Sequence, residues 1–496
     1  MSSDTTAKSV IVDTPLGPLK GHQRGSGGVF LGVPYAAPPV GELRWRAPQA
    51  LAPWRECRDA MHFGPDFPQA ANANLRSTSQ SEDCLYLNIW TPSLDPGARL
   101  PVMVWIHGGG FTAGSGSDLR CDGACLCDQG VVVVTFNYRS GLFGFLAHPA
   151  LSAESDMGVS GNYGLLDQLA ALRWVREHIS AFGGDPARIT VFGVSAGSAS
   201  ISLLLTSPLA RGAFDQAILH SPGAGRPLAT LAQAEQAGLQ LGVDLHQLRH
   251  LSATEVWSRT SVLNPAVRGL TTPRVLRPIR DGWLLPQDER PSFLSGQMHA
   301  MPMMVGSNTD EGTLLTRSWP IDTLAQWREQ IERNFGPCTE EAVGLYPAHT
   351  DKGARPAVAM MFADTQFNYG TRLLAQSMAR LHPKVFKYLF TRRRPHQSDG
   401  PHHGEEVAHA FGNVSAAPQG QKADFDERDL ALSALMSKTW ARFAAHADPN
   451  GTGLPHWAAY NAQQDNHLEL GDEVRTASQW RQAQLNFLDR FFEHAA

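Results

Sequence analysis

Residues 193–197 read Gly-Val-Ser-Ala-Gly, between a strand-like run (ARITVFGV) and a helix-like one (AGSASISLLLTS). A G-x-S-x-G turn in that context makes a sharp elbow. It exposes a serine hydroxyl with a helix N-terminus behind it, where developing negative charge is favoured. Ser195 is therefore a candidate nucleophile. The alternative is a small-residue turn where strand and helix pack closely. A nucleophilic serine also needs donors for an oxyanion. His107-Gly108-Gly109-Gly110-Phe111 follows the strand-like run PVMVWI, and three glycines let backbone N–H groups converge on a small target.

The same chemistry needs an acid and a base, in the chain order serine, acid, histidine. Asp310 and Glu311 stand in GSNTDEG, directly after a short apolar strand-like run. His402, His403 and His409 stand in HHGEEVAHAFGN. The residues alone do not choose within either cluster.

The elements that must position these groups alternate. PVMVWIH, VVVVTFNY, ARITVFGVS and MPMMVGSN read as buried strands, and LLDQLAALRWVREHISAF carries apolar residues at helical spacing. Strands alternating with helices imply an α/β fold with a parallel sheet covered on both faces, and reactive groups at the carboxyl ends of its strands. Residues 225–300 and 315–380 read as helical insertions able to roof a site. At 496 residues the chain suits one large elaborated domain or two to three ordinary ones.

Hydrophobic residues make up 42% and charged residues 18% of the chain, with a net charge of −5. This is globular composition and offers no electrostatic case for nucleic acid. No apolar run is long enough to span a membrane, and no secretory signal stands at the N-terminus. Six cysteines with no such signal read as free thiols in a reducing cytoplasm. Cys121, Cys125 and Cys127 lack a second ligand pair at zinc spacing and read as buried small side chains. No cofactor and no metal site is expected.

These motifs, with FLGVPYAAPPVGELRWRAP, SEDCLYLNIWTP, GNYGLLDQLAALRWV and WARFAAHADPNGTGLPHWAAY, resemble the carboxylesterase type-B family from about residue 10 to 465. The resemblance implies one α/β-hydrolase domain over 1–496, with a large, mostly parallel central sheet and helical insertions over the site. It implies a serine ester hydrolase acting on small-molecule esters. Ser195 would be the nucleophile, Glu311 the acid, His403 the base, and the amides of Gly109, Gly110 and Ala196 the oxyanion hole. Amide, carbamate or thioester cleavage on the same triad is the alternative, as is a non-catalytic binding member of the fold.

The chain departs from the family pattern in places. Val194 stands where many members have Glu or Gln. Phe67 replaces a disulfide cysteine, leaving Cys84 without its usual partner, and Val243 and Gln247 stand where a second pair would be. No tryptophan occupies the loop in which cholinesterases bind choline, so neutral or anionic esters are expected over cationic ones. Arg44 with Glu82, and Arg139 with Asp167, resemble structural ion pairs of the family. Arg392, Arg393 and Arg394 read as a solvated loop, with an anion-attracting patch near the site as the alternative.

Overall fold

The computed structural model describes residues 8–264 and 269–494. A single continuous sheet of 13 strands organises it. In chain order these are β1 (Ser9–Thr14), β2 (Gly17–Arg24), β3 (Gly27–Pro34), β4 (Arg58–Asp59), β5 (Tyr86–Thr91), β6 (Leu100–Ile106) and β7 (Val132–Phe136). Then come β8 (Gly184–Val194), β9 (Gln216–His220), β10 (Met303–Asn308), β11 (Val385–Phe390), β12 (Asn466–Leu470) and β13 (Val474–Ser478). The spatial order is β1-β2-β3-β5-β7-β6-β8-β9-β10-β11-β12-β13, with β4 beside β2. The seven strands from β7 to β12 run parallel. Antiparallel strands extend both edges.

Period-2 alternation explains why the central strands are apolar throughout. In β6, Val102, Val104 and Ile106 join the core on one face of the sheet, while Met103 and Trp105 join a second core on the other. Helix α1 (Tyr163–His178) turns Leu165, Leu169, Leu172 and Val175 into the first core, a 3.6-period stripe. Truncating one of them, Leu172→Ala, would cost about 2–5 kcal/mol. On the same helix, fully buried Asp167 takes both Nε and Nη2 of Arg139, at 2.8 and 2.7 Å. Arg44 grips Glu82 with two nitrogens, Nε at 2.7 Å. It also donates from Nη1 to the carbonyls of Arg249 and Leu251, so this ion pair fastens a roof segment to the N-terminal part.

Three elements build the part of the roof that matters most below. Helix α2 (Asp351–Ala363), a π-helical turn (Asp364–Asn368) and helix α3 (Tyr369–Ala379) form one interrupted rod. The extra residue of a π turn displaces side chains from the regular helical face, a device common at functional sites.

All six cysteines are unpaired. Phe67, which stands where the family resemblance implied a disulfide cysteine, and Cys84 are both buried in the first core. Cys121 and Cys127 are buried as read from the sequence, but Cys125 is exposed. Among the described residues no helix is long and apolar enough to cross a membrane, and no cluster of side chains is arranged to hold a metal.

Candidate active site

The candidate residues meet at the carboxyl ends of the parallel strands. Ser195 follows β8, His107 to Gly110 follow β6, and Glu311 follows β10. His403 lies in the long connection after β11, just ahead of helix α4 (Glu406–Phe411).

The elbow is strained. Ser195 has φ 56° and ψ −117°, a conformation that costs a non-glycine residue of order 1–3 kcal/mol and persists only where the surroundings enforce it. They do so from both sides. The Ser195 amide donates to the carbonyl of His220 at 3.0 Å, and its carbonyl accepts from Ala199 at 2.7 Å. That second bond opens the helix Ala196–Leu204. The flanking glycines are steric requirements. A Cβ on Gly197 would stand 1.9 Å from the carbonyl oxygen of Ile106, and one on Gly193 would stand 2.7 Å from the same atom. Ala196 is the first residue of its helix, so its N–H has no intrahelical acceptor.

The Gly-rich loop bends back under similar constraint. Gly109 and Gly110 have φ of 110° and 65°, and Gly109 accepts from the amides of Thr112 and Ala113. His107 anchors the base of the loop. Its ring stacks on Tyr138 with centroids 4.2 Å apart, and burial lowers its pKa to about 4, so it stays neutral.

His403 and Glu311 are in direct contact, Nδ1 donating to Oε2 at 2.5 Å. Glu311 is fully buried. Its other oxygen accepts from Ser221 Oγ at 2.5 Å and from the Asn308 amide at 2.6 Å. Three donors thus hold one buried carboxylate, which is how such a charge is tolerated. Phe367, from the π turn, lies over the His403 ring with centroids 4.3 Å apart and planes 30° apart. His403 Nε2 is buried and has no hydrogen-bond partner among the described residues. His403 lines a cavity of about 450 Å³ together with Ser195, Gly109, Gly110 and Ala196. The hydrogen bond between Ser195 Oγ and His403 Nε2 is not formed here; such contacts often close only with substrate in place.

The other candidates serve elsewhere. Asp310 accepts from the amides of Thr313 and Gly400 and caps a turn. His402 is held between Asp399 and Glu405. His409 packs against Phe390 and pairs with Asp429 at 3.3 Å.

Of the expected solvated loop of three arginines, Arg393 is exposed and Arg394 partly so, but Arg392 is not, and none of the three lines the cavity. Arg392 is buried and pairs with Asp426, Asp429 and Asp472. Arg393 donates to the carbonyl of Gly400, and Arg394 lies 3.9 Å from Glu405. Charge pairing, which spacing along the chain does not reveal, removed Arg392 from the surface.

Other residues of the site were missed in the sequence. Ser221 follows β9 as a lone serine. Asn308 also donates to Glu406 Oε2 at 2.6 Å, and Glu406 lies 3.4 Å from buried His220. Burial alone would raise the Glu406 carboxyl; His220, Asn308 and the charge of His403 outweigh it and hold the pKa low. Glu406 places a buried acid behind the histidine, although Val194 supplies none. The one signal for it was its position three residues after His403. Gln366 and Phe367 carried no signal at all.

Comparison with known proteins gives this geometry a family. The model of the carboxylesterase family matches residues 8–488. The chain belongs to that family. This carboxylesterase is 43% identical over 473 residues to fumonisin B1 esterase of Sphingopyxis macrogoltabida, covering 93% of this chain and 86% of that one. It is 36% identical to para-nitrobenzyl esterase of Bacillus subtilis, covering 94% and 95%. Against liver carboxylesterase of Sus scrofa the identity is 32%, covering 97% and 93%. Among solved structures, a PNB esterase superposes with a TM-score of 0.83 at 34% identity, covering 96% of this chain and 99% of the other. The fold is that of the α/β-hydrolases, and the carboxylesterase is a serine ester hydrolase.

Proposed function

We propose that the chain is one catalytic unit in which Ser195, His403 and Glu311 cleave carboxylic esters of small molecules through an acyl-enzyme. The observation that carries this reading is the Glu311–His403 contact of 2.5 Å beside a cavity shared with the strained Ser195 elbow. His403 Nε2 takes the Ser195 proton as Oγ attacks the ester carbonyl carbon. The amides of Gly109, Gly110 and Ala196 receive the oxyanion, a stabilisation worth about 3 kcal/mol per donor. The C–O bond breaks and His403 returns the proton to the leaving alcohol. Water, deprotonated by His403, then attacks the acyl carbon and releases the acid. Glu311 keeps the proton on Nδ1 and favours the imidazolium in both steps.

The free thiols support a reducing compartment, the cytoplasm, as the working location. The test of mechanism is covalent labelling. A fluorophosphonate adds one label per chain at Ser195, mapped by mass spectrometry, and Ser195→Ala removes both label and turnover. Wild-type hydrolysis of a p-nitrophenyl ester by Ser195→Ala would refute the assignment.

A further inference from the structure

One side-chain hydrogen bond holds the His403 imidazole, from Nδ1 to Glu311, and Nε2 has no partner among the described residues. A ring fixed at a single atom can still turn about that bond. Phe367 restrains it on its face. The two rings lie with centroids 4.3 Å apart and planes 30° apart, close to the offset stack that aromatic pairs prefer. Phe367 is 6% exposed and lines the same cavity as Ser195, so the contact is largely shielded from water. A π face at that range attracts a positive ring more strongly than a neutral one, and most strongly where water is excluded.

The position of Phe367 is itself closely determined. It sits in the π turn between helices α2 and α3, all five residues of which are buried. Asp364, which opens the turn, accepts from Asn368 Nδ2 at 2.9 Å and from Arg481 Nε at 2.6 and 2.8 Å. Thr365 Oγ1 donates to the Met361 carbonyl at 2.8 Å. Gln366, 2% exposed, donates its amide to the carbonyl of Leu270. Its Oε1 accepts from the roof arginines, from Arg226 Nη1 and, at 3.5 Å, from Arg274 Nη2. Phe362 adds a tilted ring contact to Phe367, with centroids 6.1 Å apart. Polar bonds on both sides of one apolar ring, to distant parts of the chain, fix its orientation, which a stack on a reacting group requires.

We propose that Phe367 is a positioning residue for the base: its ring fixes the plane of the His403 imidazole and stabilises the imidazolium formed as the ester is attacked. The inference rests on the ester-hydrolase reading and deepens it. Glu311 from the end of β10 and Glu406 from helix α4 also act on the charge of this ring. Both remain when residue 367 is changed, so a substitution there isolates the stack.

Two substitutions and one spectrum test it. Phe367→Leu keeps an apolar side chain and removes the π face, while Phe367→Tyr keeps the ring. With 4-nitrophenyl acetate, Phe367→Leu should lower kcat about ten-fold and leave KM within about two-fold. The acid limb of its kcat/KM profile should move to lower pH by about half a unit or more, because a less stabilised imidazolium gives up its proton more readily. Phe367→Tyr should recover most of kcat and return the limb. A residue that only filled space or touched substrate would leave the limb in place. The proposal is overturned if the limb does not move in Phe367→Leu, or if Phe367→Tyr behaves like Phe367→Leu. The wild type gives a further check even where one of these variants does not fold. The histidine ring-proton resonances that vanish in His403→Gln should stand upfield under the Phe367 ring current, and resonances at ordinary positions would overturn the stack. Failure of the wild type to hydrolyse any ester would instead overturn the hydrolase reading.

Discussion

Ser221 donates its hydroxyl to Glu311 across 2.5 Å, from a backbone at φ 52°. A second strained serine therefore stands one strand away from Ser195, committed to Glu311 instead of the cavity. Removing that donor leaves a buried carboxylate oxygen with the Asn308 amide as its other partner. Ser221→Ala should lower kcat roughly ten-fold while KM changes little, because the lost bond acts on the imidazolium formed in the transition state. Steady-state kinetics on a p-nitrophenyl ester measure this, and an unchanged kcat would show that the bond is dispensable.

Glu311 and Asp310 are adjacent, acidic and differently employed. Glu311→Gln removes the acceptor for His403 Nδ1 and should reduce kcat by about 10⁴, the cost of a wrong tautomer in a comparable triad. Asp310→Asn loses charge at a turn cap and should keep most activity. Parallel assays of both variants with matched circular dichroism would expose the opposite ranking.

The two loop glycines separate steric from conformational cost. A Cβ on Gly109 would stand 2.0 Å from the carbonyl oxygen of Ala113, whereas one on Gly110 would meet nothing nearer than Thr112 Oγ1 at 3.9 Å. Gly109→Ala should displace a donor and cost about 10²–10³ in kcat. Gly110→Ala keeps the space and pays only for φ of 65°, so its loss should be smaller. Equal losses would mean that the loop shifts as a whole.

Glu289 makes stability depend on pH. Its ordinary value is 4.5 and burial raises it to about 7. The folded state therefore binds the proton more tightly, and the stability this gives is complete below about pH 4.5. It is lost as pH rises through about 7, by up to about 3 kcal/mol. Glu289→Gln has no such proton to lose. The melting temperature of the wild type relative to this variant should fall between pH 5 and pH 8. A difference that is flat or rises with pH would contradict the assignment.

Much of this site was legible because its chemistry is local in sequence. Ser195 sits between glycines that a strand-to-helix turn requires, and the family pattern separated Glu311 from Asp310 and His403 from His402. The central strands were readable from apolar runs such as 131–136, since burial on both faces leaves no polar alternation. What escaped has no local signature. Ser221 is one serine among many, and Arg226 and Arg274 lie 140 and 92 residues from Gln366. Arg392 looked like part of an exposed run because its acidic partners lie 34 to 80 residues away.

The missing side chains at Gly193 and Gly197 reach beyond catalysis. With both backbones pressed on the Ile106 carbonyl, no cushion of rotatable atoms separates the nucleophile's turn from the strand that launches the oxyanion loop. The proposed nucleophile and oxyanion donors then belong to one cooperative unfolding unit, at the high-stability end of the molecule. The roof that carries the arginines is joined to it through separate, longer-range contacts. On warming, the enzyme should first lose its grip on substrate and only later its reactivity toward a small phosphonylating agent, so that the chemistry outlasts the selectivity.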